Sequence, residues 1–373
     1  MRVNVLITSI VAALVVLPSV CNAQDTIHKR SFLGRLLFQE DTASQSKKKF
    51  DFTIVAGPNY ASDIKFAIGL VASGKYYTVR DGKTSPSTVS QFASVSTTGF
   101  YTTAIRGNTF FRGDKNRIDY ELRFYSFPSD FWGFGYYNAD NDKNKSSYKR
   151  IQVMFKADFL HELMPNLYAG PHLEYMFVNG IKFTNPVLIT GLKRHTVSYG
   201  YGATICYDTR DYIPNAYKGA VIKATQTNYV APNTKPFYKT ILTSSCFQQI
   251  WDGGILALDY YSEFTYGTVP WTMLSLMGGS YRMRGYYEGR YRDKNLVCAT
   301  AELRQRVWKR HGIALWTGGG NVWGVNKFKW KNTLPNVGIG YRLRLKNRTS
   351  IRLDYGLGKH GQTGFVFQID EAF

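Results

Sequence analysis

Long apolar runs are almost missing from this 373-residue chain. Only Val5 to Val20 stands out, and it is too short and too soon followed by polar sequence to be a membrane-spanning helix. A bundle of transmembrane helices is therefore excluded. Cysteine is scarce as well. Beyond Cys21, the chain has Cys206, Cys246 and Cys298, an odd set with neither disulfide-framework nor zinc spacing, each in a strand-like run. The six histidines, His28, His161, His172, His195, His311 and His360, show no metal-ligand pattern and no companion nucleophile motif. The glycine-rich stretch from Gly356 to Gly364 lacks the Gly-Lys-Ser/Thr order of a phosphate loop. These absences leave no catalytic residue, no metal site and no cofactor, so an enzyme is not expected. Acidic residues are few, 26 against 47 basic ones, for a net charge of +21. Such a balance can serve nucleic acid, but an exported chain does not meet it.

Export is written at the start. A basic Met1-Arg2-Val3-Asn4, the apolar run and Cys21-Asn22-Ala23 read as a secretory signal over 1–23, cut after Ala23. Residues 24–49 read as a periplasmic leader, with an apolar patch at Phe32-Leu33 and Leu36-Leu37-Phe38 before a Lys-rich linker. That patch fits one face of a short helix, an interfacial anchor or plug, and equally a disordered leader.

Aromatic residues make up 16% of the chain, which suits strands and also the girdles of a membrane barrel. Period-two alternation runs through the rest of the sequence. Val337, Ile339, Tyr341, Leu343 and Leu345 interleave with Gly338, Gly340, Arg342 and Arg344; Ile351, Leu353, Tyr355 and Leu357 with Arg352, Asp354 and Gly356; Ile118, Tyr120, Leu122 and Phe124 with Asp119, Glu121 and Arg123. A soluble sandwich would alternate too. Repetition in strands of about ten residues, in an exported chain, points instead to an all-β transmembrane antiparallel β-barrel over 50–373.

The strands fall near 51–59, 63–76, 87–97, 100–112, 116–126, 146–157, 166–176, 197–207, 218–227, 237–249, 253–265, 296–307, 311–322, 336–345, 349–358 and 363–373. Sixteen is even, which puts both barrel ends on the periplasmic side of a bacterial outer membrane. The long polar connections 127–145, 177–196, 266–295 and 323–335 then share the outer face. Short connections at Trp251-Asp252-Gly253, Lys309-Arg310 and Lys346-Asn347-Arg348 share the other; the stretch from Tyr77 to Pro86 is longer than expected.

The sixth outer loop is the oddest segment. From Gly278 to Lys294 it combines glycines and tyrosines with Arg282, Arg284 and Arg290. Ordinary turns favour Gly, Asn, Asp, Ser and Pro, so Arg284-Gly285-Tyr286 reads as a loop folded back onto something at close backbone approach.

Several motifs occur in order: Gly278-Gly279, Arg284-Gly285-Tyr286, Ala301-Glu302-Leu303-Arg304, Gly320-Asn321-Val322-Trp323, Gly338-Ile339-Gly340 and Ile351-Arg352-Leu353-Asp354-Tyr355-Gly356. Together they resemble the C-terminal part of the BamA/TamA surface-antigen family of outer-membrane barrels, most closely over 200–373. The resemblance implies a sixteen-stranded barrel whose sixth loop tucks inside, its Arg284 meeting acidic groups on the inner wall. By alternation Glu302 faces inward, where a guanidinium can pair with it bidentately. Family members usually carry an Asp where this chain has Gly318, and lumen-facing Asp354 is a substitute partner. The leader leaves no room for the family's periplasmic POTRA modules.

Two functions remain open, with a third beside them. The resemblance implies assembly or translocation of outer-membrane proteins through a seam between first and last strands. Alternation sets Phe52, Ile54 and Ala56 opposite Phe365, Phe367 and Ile369 there, and Phe373 resembles an aromatic end signal for barrel assembly. The alternative is a loop-gated channel for small or anionic solutes, with Arg304, Arg306, Arg342 and Arg344 on its wall. An accessory barrel of a larger complex is the third. Expected partners are membrane lipid, including anionic lipopolysaccharide or lipid headgroups, and other outer-membrane or periplasmic proteins.

Overall fold

The computed structural model describes residues 50–373 apart from 62–64, 214, 233, 346, 347 and 370. The expected signal (1–23) and leader (24–49) lie outside the described residues.

Strands dominate. In order they are β1 (Phe50–Ala61), β2 (Lys65–Tyr76), β3 (Ser87–Ser96), β4 (Tyr101–Phe110), β5 (Asn116–Phe131), β6 (Ser146–Met164), β7 (Leu167–Ile181), β8 (His195–Asp208), β9 (Gly219–Ala231), β10 (Thr234–Trp251) and β11 (Gly254–Gly267). Two short strands follow, β12 (Ser275–Leu276) and β13 (Arg292–Asp293). The chain then continues through β14 (Asn295–Trp308), β15 (His311–Trp323), β16 (Leu334–Arg344), β17 (Ser350–Gly358) and β18 (Thr363–Ile369). Sixteen strands join antiparallel neighbours in one sheet that returns on itself as a closed barrel, while β12 and β13 pair only with each other. No helix among the described residues is long and apolar enough to cross a membrane.

The alternation explains why the sheet closes. On β8, Tyr199, Tyr201, Ile205 and Tyr207 are exposed while Ser198, Thr204 and Cys206 are buried. On β17, Tyr355 and Leu357 face out and Arg352 and Asp354 face in. A belt of exposed large apolar side chains would be a liability in water, and in hydrocarbon it is the solvated face. Closure leaves every central strand paired on both edges, which lipid requires of backbone groups.

The connections 132–145, 182–194, 268–294 and 324–333 share one end of the strands, the loop rim; the opposite end is the turn rim. The ten-residue connection 77–86 sits on the turn rim, where it is held by polar contacts. Lys83 and Thr84 amides donate to Asp81 (2.9 and 2.8 Å), and the Ser85 amide donates to Asp114 (2.8 Å).

Strand ends differ from the expected ones in several places, β7 reaching Ile181 and β9 Ala231 among them. β5 runs on to Phe131 because that side chain is buried at the loop rim, against Trp271 at 5.6 Å and Tyr148 at 6.5 Å between ring centres. β6 runs on to Met164, its Leu160 buried with Tyr168, Cys206 and Val221. At the other extreme β18 stops at Ile369 instead of running to 373. Glu371 is drawn inward by Arg342, whose Nε donates to it at 2.9 Å, and Phe373 packs on Phe247.

The shortened last strand moves the seam. β1 pairs with β2 along its whole length, from Phe50 with Tyr76 to Ala61 with Lys65. Against β18 it has one register pair among the described residues, Ala61 with Val366. The Ala61–Val366 register sets Phe52 and Ile54, which pair on their other edge with Gly74 and Ala72 of β2, beyond the end of β18, so among the described residues they do not stand opposite Phe365 and Phe367 as expected.

Candidate functional site

The connection between β11 and β14 enters the barrel. Its first part is anchored at the loop rim, where Trp271 packs on Phe131 and Phe183 and its indole N–H donates to the Lys193 carbonyl at 2.8 Å. The β12–β13 pair then forms a neck. Below it Gly278, Gly279 and Gly285 take φ of +101°, +106° and +116°, values that a side chain would strain. This backbone carries Arg282, Arg284 and Tyr286 into the lumen.

Arg284 ends between two carboxylates. Its guanidinium donates to Asp354 of β17 at 2.7 Å and to Glu302 of β14, and lies 3.7 Å above the centre of the Trp316 ring of β15. The Arg284 side chain is 1% exposed and both acids 0%. Each acid serves further arginines. Arg304 donates to Glu302 at 2.7 Å, Arg352 donates to Asp354 at 2.8 Å, and Arg342 reaches Asp354 as well. Gly318, where the resemblance expects an Asp, leaves no side chain; a Cβ there would overlap the Ala299 carbonyl oxygen.

Glycines let the loop backbone meet the wall. A Cβ on Gly356 would overlap the Arg284 carbonyl oxygen, and one on Gly364 would stand 3.0 Å from Gly285. The same carbonyl accepts from the Asn336 side-chain amide. Next along, the Tyr286 hydroxyl donates to the Pro335 carbonyl (2.6 Å) and accepts from the Lys359 amide (2.7 Å). Arg282 forks onto Asp259 of β11 at 2.6 and 3.0 Å, over the Tyr261 ring. The Arg352 guanidinium also donates to the Ser280 carbonyl at 2.8 Å. The loop tip is thus tied to β11, β14, β16 and β17.

Energetics set what such a cluster can do. Burying charges costs several kcal/mol per ion, so a network of this kind adds little net stability over an apolar core. Removing one member, however, strands its partners in a dry site at about 3–5 kcal/mol. The network therefore fixes one loop position sharply. It offers no nucleophile–base pair, and among the described residues no group of side chains could hold a metal.

The sequence reading named Arg284, Glu302 and Asp354, but not Trp316, Asn336, Asp259 or Glu371. Trp316 had a readable signal, being a large aromatic at an inward position in a strand of small inward residues, Gly312, Ala314 and Gly318. Asn336 and Glu371 had none, since their roles depend on where the loop and the tail come to rest.

A closed sheet of sixteen strands with a loop folded through its lumen narrows the comparison with known proteins. The Omp85 superfamily domain matches residues 68–373, most of the barrel. The chain belongs to the Omp85 superfamily. Barrels of this superfamily are outer-membrane transporters and assembly factors. Among solved structures the fold is similar to BamA from Haemophilus ducreyi lacking POTRA domains 1-3 (TM-score 0.55, 11% identity, 87% of this chain and 69% of that one). It is also similar to CdiB from Escherichia coli (TM-score 0.57, 13% identity, 87% of this chain) and CdiB from Acinetobacter baumannii (TM-score 0.56, 11% identity, 87%). The chain spans 63% and 60% of those two CdiB chains. A comparison with curated proteins finds no match.

In this Omp85 barrel the latch and the seam are neighbours. β17 carries Asp354 on its inner face and pairs through Asp354–Val366 with β18, and Val366 is the seam residue facing Ala61. Phe365 and Phe367 pair with Tyr355 and Leu353 on the opposite face of the same strands. Phe373 leaves the sheet, and its main-chain oxygen accepts from Arg304 at 3.1 Å.

Proposed function

We propose that this Omp85 barrel acts on other outer-membrane chains at the β1–β18 seam, assembling or translocating them, with loop six latched by Arg284 beside the opening. The observation that carries the reading is the seam itself. Among the described residues one register pair, Ala61 with Val366, joins the closing edge, whereas β1 pairs with β2 along its whole length. A strand edge so lightly paired is a template for an incoming strand. The turn rim faces the periplasm in this reading. Phe52 and Ile54 belong to the edge that is freed, and Phe365 and Phe367 to the strand that separates from it. The Arg284–Glu302–Asp354 cluster keeps β14 and β17 in place while the seam opens.

The test locks the seam. Ala61→Cys with Val366→Cys, in a Cys246→Ser background because Cys246 is the exposed cysteine, is oxidised and reconstituted in liposomes. Insertion of a substrate barrel should fall by at least tenfold and return on reduction. Undiminished insertion with the seam locked would overturn the reading. The excess of basic residues in the lumen supports a second one, a channel for anionic solutes, and bilayer conductance separates the two.

A further inference from the structure

We propose that the turn-rim mouth of the lumen is a binding site for a phosphate group. A cavity of about 120 Å³ opens there, roughly ten times the space one water needs. Arg304, Arg306, Lys309, Arg310, Arg342 and Arg344 line it, opposed by Asp252 and Glu371 alone among its acidic lining.

Those two acids are already engaged. Asp252 accepts from Arg306 at 2.8 Å, and Glu371 accepts from Arg342 Nε at 2.9 Å with Arg304 Nε 3.7 Å away. Three guanidinium nitrogens remain without a hydrogen bond among the described residues: Arg304 Nη1, Arg342 Nη2 and Arg344 Nε. Arg304 and Arg342 are each more than nine-tenths buried, so water exposure does not excuse their open donors. Arg342 Nη2 has its nearest carboxylate oxygen, on Glu302, at 3.6 Å, beyond hydrogen-bond reach.

Buried guanidinium donors demand an acceptor, and planar forks match oxyanions. A phosphate group carries enough oxygens to serve donors from β14 and β16 together, whereas chloride offers one atom and no direction. The site also touches the latch. Arg304 and Arg342 hold Glu302 and Asp354, the acids that hold Arg284, so an anion bound here draws on the same charges. The inference stands apart from the seam reading, because it rests on the turn-rim cavity and not on β1.

The chemistry is shared by a free phosphate and a lipid headgroup, and the experiment separates them. The full-length protein in non-ionic detergent is titrated calorimetrically with inorganic phosphate, with short-chain phosphatidylglycerol added to the micelles, and with chloride at matched ionic strength. Saturable binding of inorganic phosphate assigns the site to free phosphates; binding of phosphatidylglycerol alone assigns it to headgroups. Arg344→Gln, at a half-buried position outside the latch, should weaken that binding about tenfold, equivalent to about 1.4 kcal/mol, with circular dichroism unchanged. Lys143→Gln, exposed at the loop rim, should not. Binding no stronger than that of chloride, or equal losses in the two variants, would overturn the assignment.

Discussion

Arg284 is one side chain with four dependents, namely Glu302, Asp354, Trp316 and, through its carbonyl, Asn336. Arg284→Ala removes two buried charge-assisted hydrogen bonds and the stack on Trp316, while Arg304, Arg342 and Arg352 still pair with the two carboxylates, and the expected loss is about 3 kcal/mol. A lower urea midpoint in detergent and loss of heat-modifiable mobility on gels would record it; an unchanged midpoint would end the latch idea. Arg284→Lys should recover only part of this, since an ammonium neither forks onto two acids nor stacks flat on an indole. Gly356→Ala probes the other side of the contact. Its Cβ would occupy the space of the Arg284 carbonyl oxygen, so the loop must withdraw although every charged group is retained. Protease cleavage within 278–290 should rise in that variant and stay low in the parent.

At the scale of the element, the turn-rim connections are tied by charge. Asp211, between β8 and β9, pairs with Arg348, between β16 and β17. Burial pushes the Asp211 carboxyl up, but the Arg348 guanidinium and the Tyr217 and Lys218 amides outweigh it and hold the carboxyl below its usual range. A carboxyl depressed on folding contributes stability that is present above its unfolded value, near 3.9, and is lost as pH falls through the lower folded one. Pepsin cleavage in these connections should therefore begin as pH drops below about 4. Asp211→Asn should remove that pH dependence. Both partners are about a third exposed, so the effect is local. Strand number and facing were legible because hydrocarbon outside and water inside impose a period of two on every strand. Glu302 and Asp354 could be put on the lumen side for that reason. The seam register was not legible. It depends on where β18 stops, and β18 stops where Glu371 is captured by Arg342, a contact between residues 29 apart that no local pattern announces.

For the whole molecule, the question is whether loop six closes a channel or steadies a seam, and the two roles predict opposite results from one deletion. Its tip is tied to β11, β14, β16 and β17, and it fills lumen that would otherwise hold water. Removing 281–293 takes away Arg282, Arg284, Tyr286 and Arg292 together, leaving Asp259, Glu302 and Asp354 facing the lumen beside Arg304, Arg342 and Arg352. If the barrel is a gated pore, planar-bilayer recordings should pass from nearly silent to large steady openings with anion preference, because basic residues outnumber acidic ones six to two around the turn-rim mouth. If loop six steadies a strand-assembling seam, current should rise only modestly and noisily as β17 and β18 loosen, while insertion of a substrate barrel falls by at least tenfold. Closure of the lumen by aromatic and charged contacts, together with a single register pair at β1–β18 among the described residues, favours the second outcome. A large anion-selective current with insertion intact would instead make the lumen, and not the seam, the working part of this barrel.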